Sequence, residues 1–144
     1  MLVQAILKNK GDDGVVTVAP GSTLQAAAEL LSARRIGAVI VSPDGKRVAG
    51  ILSERDIVRE IGRRGPACMT DPVERVMTAT ITTCTRTDSA DAVLARMTAG
   101  RFRHMPVVEG GEMVGLISIG DVVAARLAEL AMEKDALEGM IKGF

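Results

Sequence analysis

An internal duplication constrains this chain more than any other feature. Gly50-Ile-Leu-Ser-Glu-Arg-Asp-Ile-Val58 returns as Gly115-Leu-Ile-Ser-Ile-Gly-Asp-Val-Val123, 65 residues later. Ser53/Ser118 and Asp56/Asp121 keep that spacing, as do Val16-Thr17-Val18 and Ile81-Thr82-Thr83. Gly37–Val41 aligns with His104–Val108 at a spacing of 67. Two copies make a duplication, not a solenoid. A unit of about 65 residues buries too little surface to be secure alone, so the copies are expected to share a core surface.

Each copy predicts the same order of elements, β-α-β-β-α, giving an α/β (α+β) fold. A short β run, Val15–Val18 or Thr80–Thr83, precedes a turn at Pro20-Gly21 or Arg86–Asp88. A helix then starts at Ser22 (Gln25 three on) or Asp88 (Asp91 three on). Its apolar stripe is Leu24, Ala28 and Leu31, or Val93, Leu94 and Met97. The apolar runs Ala38–Val41 and Met105–Val108 predict strands buried on both faces. Turns at Ser42–Lys46 and Glu109–Glu112 lead to Val48–Leu52 and Met113–Ile117, and second helices begin at Ser53 and Ser118. Leu2–Leu7 is expected to form a short helix, and Pro66–Pro72 to join the halves. The division is 1–65 for the first repeat with its N-terminal segment, 66–76 linker, 77–128 second repeat, and 129–144 a helical extension. Along that extension Val123, Leu127, Leu130, Leu137 and Ile141 continue one apolar stripe, interrupted by Lys134, which fits a homodimer contact or self-covering.

Composition narrows the classes of function. Eighteen basic and eighteen acidic residues cancel, which disfavours nucleic acid as a partner. The aromatic residues are Phe102 and Phe144 only, so no base-stacking platform exists. Two cysteines and one histidine are too few for a metal site or a disulfide framework. No signal peptide or apolar span is evident, and a cytoplasmic protein is the default expectation. No nucleophile–histidine arrangement, phosphate-binding glycine loop or dinucleotide fingerprint occurs, so no enzyme is expected.

The motif carrying chemistry is Gly-apolar-apolar-Ser-x-x-Asp at a strand-to-helix junction. Helix N-terminal amides favour anions. A serine hydroxyl suits a phosphate or ribose oxygen, and an aspartate accepts hydrogen bonds from neighbouring ribose hydroxyls. Gly37 and Ala38 would let a flat base approach the backbone. The same Ser-x-x-Asp also reads as a capping box that needs no ligand. Its recurrence in register within both copies favours the ligand reading.

These blocks, with Arg34-Arg-Ile-Gly-Ala-Val-Ile-Val41 and Arg101-Phe-Arg-His-Met-Pro-Val-Val108, resemble a tandem pair of cystathionine-β-synthase-type (CBS) domains, or Bateman module, of the stand-alone bacterial type, over roughly residues 10 to 128. The resemblance implies a pseudo-two-fold module with two clefts. It implies a regulatory role and an adenine nucleotide ligand: AMP, ADP or ATP, in some members NAD(H) or S-adenosylmethionine. Carried onto this sequence, one cleft uses Ser118 and Asp121, with Gly14, Val16, Gly37 and Ala38 around the base. The other uses Ser53 and Asp56, with Ala79, Ile81, Met105 and Pro106 as its apolar slot. Arg103 and His104 match phosphate-approaching positions, which Ile36 and Gly37 replace in the first copy, making the clefts unequal. Lys10 is a further candidate for phosphate. The competing reading is a structural interaction module in which the Ser–Asp pairs only cap helices; nucleic-acid binding through Arg101, Arg103, Arg34 and Arg35 is a distant third.

Overall fold

Every position of Ala38–Val41 (β2) is buried because β2 is the middle strand of a three-stranded sheet. Thr17–Val18 (β1) runs parallel to it and Gly50–Ser53 (β3) antiparallel. In the second repeat His104–Glu109 (β4) pairs antiparallel with Glu112–Ser118 (β5), with a register shift at Val107/Val108. The computed structural model describes residues 1–11 and 14–142; the last two positions of the expected extension, including Phe144, lie outside them.

The expected strand over Thr80–Thr83 does not form. Only Cys84 joins the sheet, bridging parallel to Val107. β-branched threonines supply strand propensity but no apolar face to hold against a core, and Thr80 and Thr82 line a cavity instead.

The first helix of each repeat starts one residue later than read. Thr23 caps Leu24–Arg34 (α2) by accepting from the Ala26 amide at 3.1 Å, and Ser89 caps Ala90–Gly100 (α4) through Ala92, also at 3.1 Å. Ser22 and Asp88 are occupied elsewhere: their carbonyls accept from Val73 and Val3, and the Asp88 carboxylate turns back to the Thr85 amide. The buried faces are Leu24, Ala27 and Leu31, and Ala90, Val93 and Met97; Ala28 and Leu94 sit at their edges. Both helices end on a left-handed arginine, Arg35 or Arg101, at φ near 55°. The second helices, Glu54–Arg64 (α3) and Ile119–Ile141 (α5), start directly after Ser53 and Ser118, as expected.

Two cores result, and each is closed by the segment that precedes the other repeat. The first gathers Leu24, Leu31, Val39, Val41 and Leu52, and is completed by Cys68 and Val73 from two short 3-10 turns, Pro66–Thr70 and Val73–Arg75. The second gathers Val93, Met97, Met105, Ile117 and Val122, and is completed by Val3 and Ile6 of the N-terminal helix Val3–Lys10 (α1). The N-terminal segment, grouped with the first repeat by sequence position, thus belongs by packing to the second.

The two closures are made alike. Leu24 N donates to Asp71 O and Val73 N to Ser22 O; Ala90 N donates to Met1 O and Val3 N to Asp88 O. Bridges Thr23–Pro72 and Ser89–Leu2 repeat the same contact. Met77 lies over Gly50 as Leu7 lies over Gly115, where an added Cβ would come within 2.6 Å of Leu7 Cδ2. Beyond Ala125 the apolar stripe of α5 is exposed, with Leu127 at 62% and Ile141 at 85%.

Candidate functional site

Ser53 and Ser118 end a strand with extended backbone and open a helix, so their side chains stand at equivalent corners. Ser53 Oγ accepts from the Asp56 amide at 3.2 Å, and Asp56 Oδ2 accepts from the Ser53 amide at 2.9 Å. The second corner matches, at 3.1 and 2.8 Å. Both capping boxes are complete. The local reading of Ser-x-x-Asp is therefore correct, yet each carboxylate has about four acceptor positions and the cap uses one.

Capping also removes most of the anion-binding amides anticipated at α3. Glu54 N donates to the Gly37 carbonyl, and Asp56 N to Ser53. A phosphate near this corner would have to be held mainly by cationic side chains.

Strand pairing corrects the alignment of the copies. Ala38 faces Ser53 and His104 faces Ser118; Glu54 N donates to Gly37 O and Ile119 N to Arg103 O. Ala38 and Gly37, not Gly37 and Ile36, are the counterparts of His104 and Arg103, an offset of 66. Two adjacent small residues hid the slip, because either register keeps the apolar run intact.

A cavity of about 770 Å³ lies between the repeats at the Asp56 corner. Ser53 and Asp56 bring the first repeat's polar groups to it, and Gly37 lets the His104 imidazole lie against the backbone, 3.6 Å from where a Cβ would stand. The second repeat contributes Ile81, Arg103, His104 and Ser118. Sequence reasoning missed Thr78, Thr80 and Thr82, which line the cavity together with Ile81. It also missed Arg55 and Arg59, and considered Arg101 only for nucleic acid; all three line the cavity. Four arginines against Glu54 and Asp56 leave the lining net positive.

Several expected members are elsewhere. Met105 is fully buried in the second core, because it points inward from the strand whose preceding residue, His104, faces the cavity. Pro106 is buried and Ala79 exposed, and neither lines the cavity. Of the residues expected around the base in the Asp121 cleft, Val16 packs at the edge of the first core, Ala38 is buried within its strand, Gly14 is exposed with φ 68°, and Gly37 lines the Asp56 cavity instead.

Asp121 is differently placed from Asp56. The Lys10 ammonium, from the end of α1, lies 2.9 Å from Asp121 Oδ2 and donates to the Leu116 carbonyl at 2.8 Å. Lys10, a candidate for phosphate by sequence, is paired here with a carboxylate. Burial pushes the Asp121 carboxyl up, but the Ser118 amide and Lys10 outweigh it and hold the group below the ordinary carboxylate value. His104 stands between the corners. Burial and then Lys10 hold its imidazole below the usual histidine value, against the opposing pull of Asp121 and Glu54.

Comparisons with known proteins agree with this architecture. The profile of the CBS domain matches residues 12–63 and again 73–128. A CBS-domain-containing protein of Agrobacterium tumefaciens, ATU1752, superimposes with a TM-score of 0.83 at 43% identity, covering 88% of this chain and 99% of that one. The mitochondrial CBS domain-containing protein CBSX3 of Arabidopsis thaliana is 31% identical over 98% of this chain and 72% of its own length. CBS domain protein PAE2072 of Pyrobaculum aerophilum, solved in complex with AMP, gives a TM-score of 0.77 at 27% identity over 92% of this chain and 99% of that one.

Proposed function

This chain belongs to the CBS-domain family, and from that membership we propose that it is a non-enzymatic ligand-sensing module binding an adenine nucleotide, AMP first, in the Asp56 cleft. The observation that carries the reading is the net-positive cavity shared by both repeats, with a carboxylate at its inner corner. Its volume is that of a small-molecule site, about 300–1,000 Å³. The ribose hydroxyls donate to the acceptor positions of Asp56 that its cap leaves free, and Ser53 keeps its own O–H to donate. Ile81 and the Gly37 backbone flank the base. Arg103 and His104, with the rim arginines, face the phosphate, where a guanidinium fork suits the geometry. The same Arg-rich rim accommodates ADP, ATP or NAD(H). PAE2072 carrying AMP on the same fold supports this choice of ligand class.

Ligand that touches both repeats stabilises one relative orientation, and it shifts an equilibrium only by its different affinity for the two states. The exposed α5 stripe supports a homodimer as the assembly that reads this shift.

The chain contains no Trp or Tyr, so a co-purifying purine would dominate the ultraviolet spectrum near 260 nm, and acid release would identify it. Titration calorimetry with AMP, ADP, ATP, NADH and S-adenosylmethionine completes the test, since a ligand preferring the folded state also raises the melting temperature. A protein free of purine that binds none of the five is a structural interaction module, the second reading, which the complete capping boxes and the uncovered α5 stripe favour.

A further inference from the structure

The two Ser–Asp corners differ in what reaches them from beyond their own helix. Among the described residues the one cation paired with Asp56 is Arg59 of the same helix, at 3.5 Å, and its side chain is 66% exposed. Asp121 meets Lys10, from an element outside its repeat, at 2.9 Å. The same ammonium takes the Leu116 carbonyl. In the first repeat the equivalent carbonyl, Ile51, accepts the backbone N–H of Thr78 at 2.9 Å, and Thr78 lines the open cavity. A lysine head therefore stands at the Asp121 corner where backbone forms the cleft wall at the Asp56 corner.

The origin of the difference is an insertion. The closing segments align at an offset of 70 through Leu2/Pro72 and Leu7/Met77, whereas Val18 and Cys84, which bridge parallel to Val41 and Val107, align at 66. The N-terminal segment thus carries four extra residues between Leu7 and Val18, the stretch in which Lys10 lies. Its base is anchored: Val3 and Ile6 are buried, Leu7 lies on Gly115, and the Met1 amino group pairs with Glu129 at 2.8 Å.

We infer that Lys10 is the residue that selects between the two clefts: as an internal latch on Asp121 and Leu116 it holds the second cleft against ligand and leaves the Asp56 cleft to bind it. Asp121 Oδ2 already accepts two donors, Ser118 N–H and the ammonium. A ribose entering there finds Asp121 Oδ1 only and meets an ammonium at Oδ2, a cation that the carboxylate prefers to a neutral hydroxyl. The inference rests on the Asp56 cleft being a nucleotide site.

The test compares AMP binding by calorimetry in the wild type, Asp56→Ala, Lys10→Ala and the double variant, with Asp56→Asn replacing Asp56→Ala where the latter folds poorly. A ligand-free measurement accompanies it: the single imidazole resonance of His104, which faces Lys10, Asp121, Glu54 and Arg103, is titrated in wild type and Lys10→Ala. Expected are a higher imidazole midpoint in Lys10→Ala, a rise from one AMP per chain toward two, and AMP affinity in the double variant about two- to fivefold above Asp56→Ala alone, as an ion pair of this exposure permits. An unchanged imidazole midpoint overturns the latch because the ammonium is then not at the corner. Unchanged or weaker AMP binding on removing Lys10 overturns it because the ammonium is then no barrier. Failure of the nucleotide reading itself shows separately, as wild type that binds no AMP.

Discussion

Asp56 serves two masters in the structure, its own helix and the cavity, and substitution can separate them. Asp56→Ala removes the acceptor of the Ser53 amide, a 2.9 Å bond. Losing half of a capping box costs about 1 kcal/mol, which lowers the melting temperature of a chain this size by about 3–5 °C. The same change removes a charged acceptor from the ligand, about 1.5–3 kcal/mol, or roughly ten- to a hundredfold in affinity. Asp56→Asn keeps an amide oxygen for Ser53 but loses the charge. Its melting temperature should stay within about 2 °C of wild type while AMP affinity still falls by about tenfold. Ser53→Ala gives a further control, since it deletes only the acceptor of the Asp56 amide. Calorimetry and thermal melts on the three variants, with and without AMP, supply all the numbers. If AMP binds Asp56→Ala and Asp56→Asn within twofold of wild type while the alanine variant melts lower, Asp56 is a capping residue alone and the nucleotide reading fails.

Two other outcomes follow from the geometry. His104 binds its proton at lower pH in the folded chain than in the unfolded one, so the unfolded state holds more protons below about pH 6.5 and stability should fall as pH drops from there. Denaturant melts between pH 7.5 and 5 should show that slope in wild type and a flatter curve in His104→Gln; equal slopes would show that the imidazole is not held neutral. Glutamate at Leu127 and Leu130, both exposed on α5, should convert a dimer to a monomer in light scattering with little change in melting temperature. A wild type that is already monomeric refutes the dimer.

The strands β2 to β5 and the helices capped by Ser53 and Ser118 were legible from sequence because period and punctuation agree there. Ala38–Val41 reads as a middle strand and is one. Legibility ended where contacts between distant segments decide. Thr23 and Ser89 displace Ser22 and Asp88 as caps only because Val73 and Val3 engage the preceding carbonyls. Met105 is apolar and lies beside a true cavity residue, yet strand alternation turns it into the core. Lys10 was legible only as a candidate for phosphate; its partner Asp121 is 111 positions away, and no local pattern announces the pair. The arginine rim is split between one helix, α3, and the turn that follows α4, so its joint charge emerges only on folding.

The exchanged closures have a mechanical consequence. A cut after residue 65 would leave two pieces, each holding the lid for the other and neither able to shut itself. Mixed together, the pieces should reassemble without a covalent tether, and within the intact chain neither half can melt without uncovering its neighbour. Such mutual dependence lets an event at one corner be felt across the whole molecule, because tilting one half drags the strap fastened over the other.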